Sequence, residues 1–207
     1  MTRVLTFDAG LHLGFGAIGG GKPPVAGSRL LRGGPRNMGV TMRHADQVIR
    51  DVILQEKPDV IGFATPFVGQ VRIPIFKGGK PTGLFKTQPI DPNSIRPLYG
   101  VLAKVEEIAD ELHIRCVEVS EGECRNAFLN KVPRKSKDIK AAIMAGVRQR
   151  GWPCPDDHGA DSLCVASHIL DISQPTTSHE TTPLFSTAPA PTKKSRRKKP
   201  CKAAEKV

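Results

Sequence analysis

Three acids and a histidine stand where two apolar elements end or begin. Asp8 closes "RVLTFDAG", and Asp157, His158 and Asp161 open "PDDHGADSLCVASHIL". An acid at the end of an apolar strand projects from the carboxyl edge of a sheet, where open α/β sheets place their sites. As an ordinary turn former it would instead cap its own loop. In the second stretch Asp156 suits the N-cap, and Asp157 suits the positive end of the helix dipole. Asp161 is too deep for either role. It enters a segment in which Leu163, Val165 and Ile169 begin to bury one side. A carboxylate there needs a partner, and a cation is the simplest one. Helical spacing brings Asp157 and His158 to the side of Asp161. A hard ion such as Mg²⁺ needs only one or two carboxylates, filling its shell with water and phosphate oxygens.

Elements able to position these groups are legible around them. The run ending at Asp8 is followed by "FGAIGGG" and "VAGSRLLRG", weaker strands joined by glycine-rich turns. Apolar residues recur at helical spacing from about 38 to 55 and from 95 to 112. "PDVIGFATP" reads as a strand covered on both faces, and "IRCVEV" as another. Residues 69–94 form a long basic excursion with "FKGGKPTGLF" as a hairpin tip. Helices are predicted over about 121–130 and 137–149, before the "GWPCP" break and the last helix. Antiparallel strands followed by alternating strands and helices predict an α/β domain, a mixed sheet flanked by helices, over residues 1–172.

Residues 173–207 are rich in Ser, Thr and Pro and end in a Lys/Arg-rich cluster, so a disordered basic tail is predicted. The tail carries eight Lys and Arg against two acids, within a chain of 207 residues and net charge +11. Both parts are basic, which favours a polyanionic partner over solubility alone. Five irregularly spaced cysteines without a CxxC pair support neither a zinc site nor a disulfide framework. No run is long and apolar enough to cross a bilayer. A protein working in the cytoplasm, at the nucleoid or in a phage-infected cell, is expected, without a membrane partner.

Taken together, these fragments resemble the RNase H-like nucleases, and within them the RuvC family of Holliday-junction resolvases, its phage-type members included. "FDAGLHLGFGAI" looks like that family's first strand and turn, "HGADSLCVA" like its final helix, and "VPRKSKDIKAAI" like its basic loop before a helix. The resemblance implies a Mg²⁺-dependent endonuclease, with Mn²⁺ as a substitute, that cuts four-way DNA junctions as a homodimer. It implies two metal ions per site, held by Asp8, Asp161 and His158 with Asp157 beside them, and Lys137 steadying charge on the phosphate. Such ions activate water and stabilise the leaving oxygen in an in-line displacement. The actin-like ATPases share a first-strand "D-x-G", but they need a second domain that 172 foldable residues do not provide.

One position departs from the pattern. The family carries a metal-binding glutamate at the end of its central strand, and the matching position in "VIGFATPF" is Ala64. The chain is then an inactivated version made by a Glu→Ala change, a naturally silenced relative that still binds branched DNA, or one whose correspondence is misplaced here. Three residues on, Phe67 stands where the family has an aromatic that stacks on an unpaired base, with a core or loop Phe as the plain alternative. Arg72, Lys77, Lys80 and Lys86 of the excursion, and Arg134, Lys135 and Lys137 before the fourth helix, make a candidate phosphate-contacting surface. A solvated hairpin is the plain alternative for the first four.

Overall fold

The computed structural model describes residues 1–65, 70–77, 80–89 and 92–173. Its centre is β1 (Arg3–Asp8), buried along its length until Asp8. Period-two alternation sends Leu5 and Phe7 to one face and Val4 and Thr6 to the other. Leu5 and Phe7 join one core cluster, while Val4 joins a second. Asp8 has the parity of Val4 and Thr6, and that parity decides which helix it meets.

β2 (His12–Gly19) and β3 (Val25–Leu30) follow as an antiparallel meander. β4 (Val60–Thr65) and β7 (Arg115–Ser120) lie parallel on the other side, giving the order β3-β2-β1-β4-β7. The mixed sheet expected from the element pattern is therefore present. The basic excursion is itself a two-stranded sheet, β5 (Gln70–Lys77) with β6 (Lys80–Pro89), paired up to Lys77 opposite Lys80. The antiparallel pair agrees with the hairpin expected around "FKGGKPTGLF", although the predicted element order does not count its arms as strands, since an excursion rich in Lys, Gly and Pro lacks a clean alternating pattern.

α1 (Met38–Glu56) and α2 (Pro92–Glu111) cover the face of Leu5 and Phe7 with Ile49, Ile53, Val101 and Val105. α3 (Glu121–Leu129), α4 (Ser136–Gln149) and α5 (Asp157–Ser173) cover the face of Val4 with Phe128, Ile143, Leu163 and Ile169. The last described residue, Ser173, ends α5, and the rest of the predicted tail lies outside the described residues.

α5 approaches the sheet closely because β2 presents glycines to it. A Cβ on Gly14 would stand 2.6 Å from the His158 carbonyl oxygen, and one on Gly16 would stand 2.8 Å from the Leu163 nitrogen. Inside this contact the Thr6 hydroxyl donates to the Ser162 carbonyl at 2.6 Å. That bond ties β1 to α5 in a buried layer, where an unmade hydrogen bond is costly.

Candidate active site

The helix that opens with acids is capped as its sequence indicates. Asp156 Oδ1 accepts from the Gly159 N–H at 2.8 Å, and its Oδ2 accepts from the Ser28 hydroxyl at 2.8 Å. With the cap fixed, the first turn of α5 sits over the end of β1. His158 Nδ1 lies 3.0 Å from Asp8 Oδ2. The His158 ring also stacks on His12 of β2, with centroids 5.4 Å apart and planes 4° from parallel. The Asp8 carboxylate raises the His158 pKa above its ordinary value, against a smaller opposing effect of burial.

One turn further on, Asp161 is half-buried. Among the described residues its carboxylate has neither hydrogen bond nor ion pair. Burial first, and the charge of Asp8 second, push its pKa up to about 6. Asp157 takes a different direction. Its Oδ2 accepts from Lys140 Nζ of α4 at 2.6 Å, which lowers the Asp157 pKa and raises that of Lys140.

Asp8 and Asp161 face a cavity of about 250 Å³ between the sheet edge and the helices, lined also by Ala64, Thr65, Glu121 and Arg125. An adjoining opening is bordered by Asp8, His12, Lys140, His158 and Asp161. Ala64 reaches this place because β4 has the same register logic as β1. Phe63 pairs with Phe7 and packs in the α1/α2 core, so Ala64 turns to the α5 side beside Asp8.

The expected set is thus brought together in part. Asp8, His158 and Asp161 converge, and Ala64 stands among them. Asp157 borders neither opening and is held by Lys140. Lys137 lies exposed on the first turn of α4 and borders neither opening, whereas Lys140, one turn later, borders the second. Arg134 and Lys135 are exposed just before α4. Arg72 and Lys77 stand on β5 and Lys80 and Lys86 on β6, while Phe67 lies outside the described residues. Reasoning from sequence missed His12, Glu121, Arg125 and Lys140. Only Lys140 had a usable signal, since it shares a helix face with Lys137 at i, i+3.

The sequence matches no protein-family model and no curated protein. Solved structures do match. Thermus thermophilus RuvC in complex with a Holliday junction substrate aligns at TM-score 0.55 and 14% identity, over 80% of this chain and 91% of that one. The fold is RuvC-like. A second Thermus thermophilus RuvC structure aligns at TM-score 0.50 and 15% identity, over 79% of this chain and 90% of that one. The yeast mitochondrial Holliday junction resolvase aligns at TM-score 0.50 and 12% identity, over 80% of this chain and 76% of that one. On this RuvC-like fold Asp8 and Asp161 occupy the end of the first strand and the last helix.

Whether a divalent cation suits the residues present is decided by Asp161. A half-buried carboxylate that has no donor among the described residues, beside a second carboxylate, is a charge arrangement that a cation relieves. Two carboxylates are enough for a hard ion that keeps much of its water. Among the described residues no group of three or more His, Cys, Asp and Glu side chains is gathered as a ready-made site. The fit is therefore to one cation held by Asp8 and Asp161, with His158 oriented beside it.

Proposed function

We propose that this chain is a metal-dependent endodeoxyribonuclease directed at four-way DNA junctions, acting as a homodimer. The observation that carries the reading is that Asp8 and Asp161, the latter without a hydrogen bond or ion pair among the described residues, line one cavity of a RuvC-like fold. The neighbour in complex with a Holliday junction substrate supports the substrate class, and the chain's net charge of +11 suits a polyanion. A dimer suits a twofold substrate that needs two matched cuts.

Asp8 and Asp161 would hold Mg²⁺ or Mn²⁺, which supplies activation of water and neutralisation of charge on the scissile phosphate. The chain's own residues do the rest. The hydrogen bond to the Asp8 carboxylate and the stack of His12 fix the His158 ring at the rim. Lys140 and Arg125 border the openings, placed to meet phosphate oxygens. Lys137, Arg134 and Lys135 extend the basic surface along the start of α4. A second ion, as the two-metal scheme requires, finds no donor at Ala64, so cleavage by the chain as written is weak on this reading.

A second reading is favoured by Ala64 itself: the same fold holds branched DNA without cutting it. One experiment separates the two. A labelled synthetic four-way junction is incubated with Mg²⁺ or Mn²⁺ and either the parent chain or its Ala64→Glu variant, with gel shifts in Ca²⁺ alongside. Paired symmetric nicks, stronger in the variant, support the nuclease. Junction preference without nicks in either chain supports the binder, and no junction preference in either rejects both.

A further inference from the structure

β7 ends at Ser120 and α3 begins at once with Glu121. Ala64 pairs with Val119 and Thr65 with Ser120, so Glu121 leaves the sheet beside the end of β4. Val117 and Val119 pack on the α5 side of the sheet. Two residues on, Glu121 keeps to that side and lines the cavity with Asp8, Ala64 and Asp161. It borders the adjoining opening too. Among the described residues the acids of this cavity are these three, Asp8, Glu121 and Asp161. They come from three elements: the end of β1, the start of α3 and the second turn of α5.

Glu121 already has a partner. Its carboxylate pairs with Arg125 one turn along α3, and Arg125 lines the same cavity. Among the described residues the three acids are not gathered as a ready-made ligand group. The Glu121 side chain remains 42% exposed, and an i, i+4 pair in that setting is a weak tie that a divalent cation can replace. The methyl group of Ala64 offers no competing donor and leaves space at the place where the Glu121 carboxylate would turn.

We propose that Glu121 is the third carboxylate of this site, exchanging Arg125 for a divalent cation shared with Asp8 and Asp161, so that α3 supplies the ligand that β4 lacks. This rests on the metal-dependent reading above and deepens it. A glutamate entering from the neighbouring strand's end takes the place that a strand glutamate would fill. Released from Glu121, the Arg125 guanidinium stays at the cavity wall as a phosphate contact.

Calorimetric titration of Mn²⁺ into the full-length chain, without DNA, tests the assignment. The comparison set is the parent, Asp8→Asn, Glu121→Gln and Glu123→Gln, each first shown to melt cooperatively. Glu123 shares the first turn of α3 but does not line the cavity. Glu121→Gln is expected to weaken Mn²⁺ binding about 10-fold or more, on the scale seen when metal sites lose supporting groups. Glu123→Gln is expected to bind as the parent does, and Ala64→Glu in the Glu121→Gln background is expected to restore affinity. Equal affinity of Glu121→Gln and parent, with binding lost in Asp8→Asn, overturns the role of Glu121 alone. Equal affinity of Asp8→Asn and parent, or no binding by the parent, overturns the metal-dependent reading together with it.

Discussion

Asp8 Oδ2 and His158 Nδ1 lie 3.0 Å apart although 150 residues separate them in the chain. The contact joins the end of the first strand to the first turn of the last helix, so the site exists only once the domain has closed. Asp8 and His158 are each about one-third exposed, which leaves the pair open to water and to competing ligands.

The hydrogen bond that His158 Nδ1–H donates to the Asp8 carboxylate favours the imidazolium and raises the His158 pKa above its ordinary 6.5. Its stabilising effect is therefore present below pH 6.5 and fades as pH rises through the raised value. An NMR titration of the ring protons should give a midpoint above 6.5, and Asp8→Asn should bring it down towards that value. A midpoint unmoved by Asp8→Asn would mean that the two groups do not meet in solution.

Asp161 has the opposite consequence for the metal-free protein. Its folded-state pKa, about 6, exceeds the ordinary 3.8, so the folded state holds a proton that the unfolded chain releases. The penalty is absent below pH 3.8 and grows as pH rises through about 6. At one pKa unit per ~1.4 kcal/mol it reaches ~1–3 kcal/mol above that range. Asp161→Asn should therefore be more stable than the parent at pH 8 without metal, and equal to it near pH 4. Urea denaturation at both pH values checks this, and a parent chain equally stable at pH 8 would remove the argument for an uncompensated carboxylate.

Much of this arrangement was legible because it is local. The alternation in "RVLTFD" sets the parity of Asp8, and the cap at Asp156 sets the phase of α5, so Asp8 and Asp161 emerge from patterns a few residues long. Ala64 was legible for the same reason, as the end of an apolar strand. What could not be read depends on packing between distant elements. Asp157 sits at i, i+4 from Asp161, but Lys140 of α4 reaches it from outside the helix. Choosing Lys140 over Lys137 needs the rotation of α4 against α5, which no local period encodes. Glu121 carries no signal of its own in the sequence, because only the pairing of β7 with β4 brings it to the cavity.

The close seat of α5 on β2 gives a packing prediction. A Cβ at Gly16 would meet backbone atoms, the Leu163 nitrogen at 2.8 Å and the Ser162 carbonyl carbon at 3.0 Å, so neither side can yield by rotating a side chain. Gly16→Ala should cost ~1–3 kcal/mol, as overpacking of a rigid layer does. Gly39→Ala, on α1 with nothing within 4 Å, should be neutral or slightly stabilising. Equal stability of the two variants in urea would show that the helix does not rest on β2 this closely.

Lys140 and Lys137 share α4, yet only Lys140 borders the opening at Asp8 and Asp161. Its ion pair with Asp157 is 45% exposed on the lysine side and 42% on the acid. Such a pair contributes little, so Lys140→Gln should change stability by less than ~1 kcal/mol. Its charge towards phosphate is another matter. In Ca²⁺ gel shifts with a four-way junction, Lys140→Gln should weaken binding and make the salt dependence shallower by about one counterion. Any nicking by the Ala64→Glu chain should fall further with Lys140→Gln than with Lys137→Gln, since a group beside the acids acts on the scissile phosphate itself. Equal losses for the two lysines would place Lys140 with the general basic surface, and a larger loss for Lys137 would return the phosphate contact to the position that the sequence suggested.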